Sequence, residues 1–338
     1  MIIRSKAPLR ISFGGGGTDV SPYPEQIGGV VLCSSIDRYV YCTMKSNGTD
    51  VVNVKSLDYD TVASYRNVDD FRYDGKLDLV KGTIRVMKIG GGFDIFLHAD
   101  SPPGSGLGTS STITVALIGL FKHWQNLPMD DYEVAELAYH IERQEVKLAG
   151  GKQDQYAAAF GGFNFIEFYG NNTVVNPLRI KEDVLNELQY RLMLCYTGKR
   201  RLSTEIIEDQ VGRYTQGAQD TVHALNRVKA LALDMKKALL LGRIDDLGEL
   251  LNESWNHKKK FSARMTTAQI DEMYEAARKE GVIGGKLLGA GGGGYLLLLA
   301  EFDKWHVVAE RMEKMGGAVS PVTFEPKGLQ TWEVKNND

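Results

Sequence analysis

The sequence predicts an α+β fold, with strands and helices mixed rather than strictly alternating. Three observations carry this. The first third of the chain consists mostly of short β-rich runs bounded by glycine, asparagine or aspartate. Residues 200–280 are helical in pattern almost throughout, with long charged amphipathic segments. The tail then returns to a mixture of glycine loop, strands and one helix.

In chain order, IIRSKAPLRISF, GVVLCSSI, RYVYCTMK and VVNVKSL read as strands, KLDLVKGTIRVMKIG as a helix and FDIFLHAD as a strand again. Helices are expected over about 109–126 and 131–147, broken near Pro128, with Asp130 as an N-cap. GGFNFIEF and TVVNPLRI form a strand pair. After YRLMLCYTG the character changes, which places a domain boundary near residue 190. The end of the chain gives a glycine loop and strand (KLLGAGGGGYLLLLAE), a helix (DKWHVVAERMEKM) and two strands (AVSPVTFE and LQTWEVK).

At 338 residues the chain has room for two domains or one large one. Apolar residues make up 43% and charged residues 25%, the mix of an ordinary soluble globular protein. A formal net charge of −3 provides no basic field of the kind that nucleic-acid binding needs. Cys33, Cys42 and Cys195 form no C-x-x-C pair, which favours a reducing compartment and argues against structural zinc. The N-terminal stretch lacks the apolar core of a signal peptide. The longest apolar runs, such as YLLLLA, are too short to span a bilayer. A cytoplasmic location is therefore expected, with no nucleic-acid or membrane partner. Composition leaves monomer and homodimer equally open.

SPPGSGLGTSST, residues 101–112, joins a strand to a buried helix pattern. Glycines without Cβ atoms let backbone N–H groups turn inward, and a helix N-terminus adds partial positive charge. That is an arrangement for phosphate. A tight turn alone would account for one Gly-x-Gly, but here Gly104, Gly106 and Gly108 lead into four hydroxyl residues, Thr109 to Thr112. A Walker A loop and a dinucleotide fingerprint both need glycine at position 109, so neither is present. Two further clusters, FGGGGTDV and KLLGAGGGGYLLLL, are locked against apolar strands. Close approach of backbone to a ligand explains them better than a flexible linker does.

Together KAPLRISFGGGGTD, PPGSGLGTSST and KLLGAGGGGY resemble the three motifs of the galactokinase, homoserine kinase, mevalonate kinase and phosphomevalonate kinase (GHMP) superfamily, in order and at similar spacing. The middle motif is the most specific, and the resemblance spans residues 4 to about 300. It implies an N-terminal ATP-binding domain, residues 1–190, of ribosomal-protein-S5-like fold. It also implies a ferredoxin-like C-terminal domain, residues 191–338, with ATP and the acceptor held between the two. By the same resemblance Pro103, Gly104, Ser105, Gly106, Leu107, Gly108, Thr109 and Ser110 form the nucleotide loop. Glu142 and Ser110 look like Mg²⁺ ligands, Asp154 like the catalytic carboxylate, and Arg10 like the basic residue that pairs with it.

The acceptor is expected beside Gly16, Gly17, Thr18, Asp19, Gly291 and Gly292. Galactokinase-type enzymes carry Gly-Glu-His before Thr-Asp where this chain has three glycines, which leaves space for a larger sugar. Lys152, Arg200 and Arg201 are candidates to hold an anionic substituent, although a basic turn is also commonly just solvated surface. KKKF at 258–261 reads as a solvated helix face. Within the superfamily the phrasing is most similar to the D-glycero-D-manno-heptose 7-phosphate kinase family, which implies Mg²⁺·ATP-dependent phosphorylation of an anomeric oxygen. The alternatives are a fucokinase-like sugar 1-kinase and a sugar sensor without chemistry. A sensor would be expected to have lost Asp154, Glu142 or the loop.

Overall fold

The computed structural model describes residues 1–57, 61–66, 71–170, 172–198 and 203–335. Strand β1 (Ile2–Gly14) leads through a short helix, α1 (Tyr23–Gln26), into the long strand β2 (Gly29–Ser46). The two β runs expected over 29–45 are thus one strand, and it changes partner along its length. One edge of β2 carries β1; on the other edge its first part pairs with β6 (Phe163–Tyr169) and its second part with β5 (Phe93–Ala99). Strands β3 (Val52–Ser56), β4 (Thr61–Tyr65) and β7 (Asn172–Pro177) extend the sheet, with β3 parallel to β5. The last strand, β12 (Gln330–Val334), returns to pair antiparallel with the start of β1.

Helices α2 (Asp78–Val86), α3 (Thr109–Trp124), α4 (Asp131–His140) and α5 (Gln153–Phe160) cover one face of this sheet. Helix α3 is buried nearly all round, enclosed by sheet and helices, and is apolar beyond its hydroxyl-rich first turns. Asp130 caps α4 in a full capping box with Glu133. The helix expected to run on to residue 147 instead widens into a π-helical turn at Ile141–Glu145. Such turns recur at functional sites.

After α6 (Glu182–Arg191), a helix not among those expected above, β8 (Leu192–Tyr196) opens a second sheet. Its other strands are β9 (Val282–Leu287), β10 (Tyr295–Ala300) and β11 (Ala318–Pro321), in the antiparallel order β11-β8-β10-β9. Numbered along the chain, that order is 4-1-3-2, the ferredoxin-like arrangement. Between β8 and β9 lie α7 (Ser203–Thr215), α8 (Gln219–Leu240), α9 (Ile244–Lys258) and α10 (Ala268–Lys279); α11 (Trp305–Lys314) precedes β11. No helix among the described residues is long and apolar enough to cross a membrane.

The two sheets share a core. Leu231, Ala232 and Met235 of α8 join Leu9, Ile11 and Phe13 of β1 in one continuous cluster. Helix α9 lies directly on β9 because both contribute glycine at the contact. A Cβ at Gly284 would stand 1.8 Å from the Gly248 carbonyl oxygen. Gly284→Ala should therefore force α9 away from β9 and cost about 1–3 kcal/mol. A urea midpoint equal to that of the wild type would contradict this packing.

Candidate active site

Three glycine loops converge on a cleft of about 300 Å³ between the two sheets. In the first, Thr18 is a scaffold residue rather than a cleft residue: its hydroxyl contacts the Gly15 and Val30 carbonyls at 2.8 and 2.9 Å. Asp19 faces the cleft but already accepts from the Gly17 and Gln153 backbone N–H groups at 3.0 and 3.1 Å, and from the Gln153 amide. It thereby ties this loop to the start of α5. Gly16 and Gly17 line the cleft wall.

The second loop keeps φ positive at Gly104, Gly106 and Gly108, so glycine is required there. Gly104, Gly106, Gly108, Thr109 and Ser110 face the cleft at the N-terminus of α3. Pro103, Ser105 and Leu107 do not line it. The Ser105 carbonyl accepts from Tyr295, and the Leu107 carbonyl accepts from the Arg10 backbone N–H. The third loop meets the second backbone to backbone: a Cβ at Gly289 would lie 2.6 Å from Gly106 Cα, and one at Gly294 2.2 Å from the Ser105 carbonyl oxygen. Much of the glycine content thus serves contact between loops. Gly291 reaches the cleft, whereas the Gly292 N–H is tied to the Met265 carbonyl and Gly292 does not line it.

Arg10 and Asp154 meet at the junction. Arg10 Nε donates to Asp154 Oδ1 at 2.7 Å, and Nη1 donates to the Gly106 carbonyl at 2.6 Å. The register between β1 and β2 shifts between Pro8 and Arg10, an irregularity of the kind that re-aims side chains beside active sites. Asp154, in the first turn of α5, remains partly exposed to the cleft.

Glu142, on the π-helical turn, is fully buried. It accepts from the Ser111 hydroxyl at 2.8 Å and from Gln155 at 3.1 Å, with Arg143 3.3 Å away. Burial pushes its pKa up, against the opposing pull of Arg143 and these two donors. A divalent cation would add to the positive charge that Arg143 already brings to this buried carboxylate. Mg²⁺ asks for only one or two protein oxygens beside phosphate and water, and Glu142 with the exposed, cleft-facing Ser110 hydroxyl fits that donor set. Among the described residues there is no cluster of three or more His, Cys, Asp or Glu that would enclose a metal by itself.

Two expectations for basic residues change. Lys152 does not reach the cleft, since its ammonium donates to the Gly170 carbonyl at 2.9 Å and lies 3.8 Å from Glu25. Arg200 and Arg201 lie outside the described residues. Lys258 is not on a solvated face; it is buried, lines the cleft and donates to the Gly289 carbonyl at 2.6 Å. Helical periodicity could have found it, because Ile244, Leu247, Leu251, Trp255 and Lys258 share the buried stripe of α9. Lys286, also missed, lies 3.3 Å from the Phe13 carbonyl in the same cleft.

Four of the eight buried polar side-chain atoms that lack a hydrogen-bond partner among the described residues belong to cleft-lining residues: Ser12 Oγ, Thr109 Oγ1, Arg143 Nε and Gln153 Oε1. That concentration marks a ligand site rather than a packing fault. The cleft can hold a polyphosphate against the α3 N-terminus and a hydroxyl near Asp154, the layout that phosphoryl transfer to a small molecule requires.

Comparison with known proteins agrees. Residues 78–162 match the GHMP kinases N terminal domain, and residues 235–318 match the family GHMP kinases C terminal. The chain belongs to the GHMP kinase family, and it is an ATP-dependent kinase. It is 36% identical to a D-glycero-alpha-D-manno-heptose 7-phosphate kinase of Campylobacter jejuni, over 98% of this chain and 99% of that protein. The bifunctional fucokinase/GDP-fucose pyrophosphorylase of Arabidopsis thaliana is 27% identical over 91% of this chain and 31% of its own length. The crystal structure of a D-glycero-D-manno-heptose 1-phosphate kinase from Bacteroides thetaiotaomicron superposes with a TM-score of 0.84 at 35% identity, covering 99% of this chain and 100% of that one.

Burial, reinforced by Arg10, lowers the Lys258 ammonium to about 8 despite the attraction of Asp19 and Asp154. Its folded pKa lies below the unfolded one, so between about pH 8 and 10.5 the unfolded chain holds more protons and this group's cost to stability is relieved as pH rises. The melting temperature of Lys258→Met minus that of the wild type should accordingly fall between pH 7 and 10. A difference that stays flat with pH would contradict the assignment.

Proposed function

We propose that the protein transfers the γ-phosphoryl group of ATP to the anomeric hydroxyl of D-glycero-D-manno-heptose 7-phosphate, giving the 1,7-bisphosphate used to build nucleotide-activated heptose, in the cytoplasm. The observation that carries this reading is the Arg10–Asp154 pair, held at 2.7 Å where the phosphate loop meets the acceptor side of the cleft. The 36% identity to a heptose 7-phosphate kinase supports the choice of acceptor. We further propose that residues 1–190 and 191–338 act as the nucleotide and companion domains, with β12 returning to the first sheet.

In this reading Asp154 orients the acceptor hydroxyl and takes its proton. The acceptor oxygen bonds to the γ-phosphorus while the bond to the β–γ bridging oxygen breaks and ADP leaves. Arg10 fixes the carboxylate rotamer and places positive charge beside the transferring group. Glu142 and Ser110 would hold Mg²⁺, which supplies charge neutralisation of the triphosphate. The similarity to a fucokinase supports a second reading, a sugar 1-kinase acting on an unphosphorylated sugar.

Release of ADP over a panel of heptose 7-phosphate, free heptose and fucose separates the two readings. The first predicts a kcat/KM for the phosphorylated heptose well above the others; fucose turned over as well as heptose 7-phosphate would overturn it. Asp154→Asn should lower turnover by about 10²–10⁴-fold with nucleotide binding retained, and a rate within threefold of wild type would remove Asp154 from the mechanism. Glu142→Gln should raise the Mg²⁺ concentration needed for half-maximal rate, and an unchanged titration would place the metal elsewhere.

A further inference from the structure

Among the described residues six basic side chains are buried: Arg10, Lys81, Lys152, Arg191, Lys258 and Lys286. Four of them have a carboxylate within 4 Å. Arg10 pairs with Asp154, Lys81 with Asp74, Lys152 with Glu25 and Arg191 with Asp245. For Lys258 and Lys286 the partners are backbone carbonyls only, those of Leu287 and Gly289 for the first and Phe13 for the second. Burying an ammonium without a counter-charge is strongly unfavourable. Both lysines stand in the wall of one cleft with no carboxylate within 4 Å, Asp19 and Asp154 acting only from further off, so a ligand there can supply the closer counter-charge.

We propose that Lys258 and Lys286 form the receptor for a phosphate dianion in this cleft, a role that rests on the kinase reading above. Two ammonium groups match the double charge of such a group, and charge-assisted bonds to phosphate are the strong ones. Two phosphates satisfy this chemistry: the γ-phosphoryl group of the nucleotide and the phosphate of the acceptor. The groups facing the lysines are Arg10 from β1, Asp19 from the first glycine loop and Asp154 from α5. Burial holds both ammoniums below their usual range, so an arriving dianion raises their pKa values again and draws protons from solvent.

Calorimetry of the full chain at pH 8.5, in two buffers of different ionisation enthalpy, reads both effects. The probes are a non-hydrolysable ATP analogue with Mg²⁺, heptose 7-phosphate, and free heptose. Protons should be taken up with the phosphate that occupies the site. Lys258→Met and Lys286→Met should weaken that same probe by about ten- to hundredfold and reduce the uptake. Weakening confined to heptose 7-phosphate identifies the acceptor phosphate, and weakening confined to the nucleotide analogue identifies the γ-phosphoryl group; either upholds the receptor. Free heptose weakened as much as heptose 7-phosphate, or no probe weakened and no uptake in the wild type, overturns it. If a Met variant fails to fold, Lys258→Gln and Lys286→Gln, which keep a donor for the carbonyls and carry no charge, take its place with the same expectations. A wild type that binds the nucleotide analogue with proton uptake yet phosphorylates no heptose phosphate defeats the proposed function and leaves the receptor standing.

Discussion

Arg10 and Asp154 stand 144 residues apart in the chain and 2.7 Å apart in space. Holding that contact requires three segments to be locked together. The Arg10 backbone donates to Leu107 and its guanidinium to Gly106, which fixes the phosphate loop against β1. Asp19, nine residues further along the chain, accepts from the first backbone N–H of α5 and so fixes the helix that carries Asp154. A buried ion pair of this kind adds little net stability, because desolvation offsets most of the attraction. Its value here is positional.

The second domain reaches the site through its glycine loop and through side chains of α7, α9 and β9. Gly289 against Gly106 and Gly294 against Ser105 bring the loops closer than any side chain would permit. That contact accompanies Lys258 and Lys286 in the buried wall of a site whose other charges come from the first domain. The cleft is therefore completed across two sheets. A shift of α9 on β9 would reach the cleft through Lys258.

How much of this was legible depended on range. Local devices were readable: the Asp130 cap, the strand alternations, and three glycine loops with hydroxyls after the second. Sequence alone divides β2 because Asp37 and Arg38 break an apolar run, whereas the strand continues while its neighbour changes. Closeness in sequence to Asp154 suggests Lys152 for the acceptor site, but its side chain points to Gly170 instead. Ser110 and Ser111 are alike in sequence and both line the cleft, and only the rotation of α3 shows that Ser111 is buried on Glu142 while Ser110 is exposed. Lys258 was hidden by its neighbours Lys259 and Lys260, since a charge run reads as solvated until the helical stripe is counted.

If Arg10 and Asp154 act as one unit in the transfer step, a double-mutant cycle on kcat will show it, with Arg10→Gln, Asp154→Asn and the pair assayed at saturating ATP, Mg²⁺ and acceptor. Strong non-additivity is expected, the double variant being about as slow as the slower single one. Losses that multiply would show two independent contributions and contradict it.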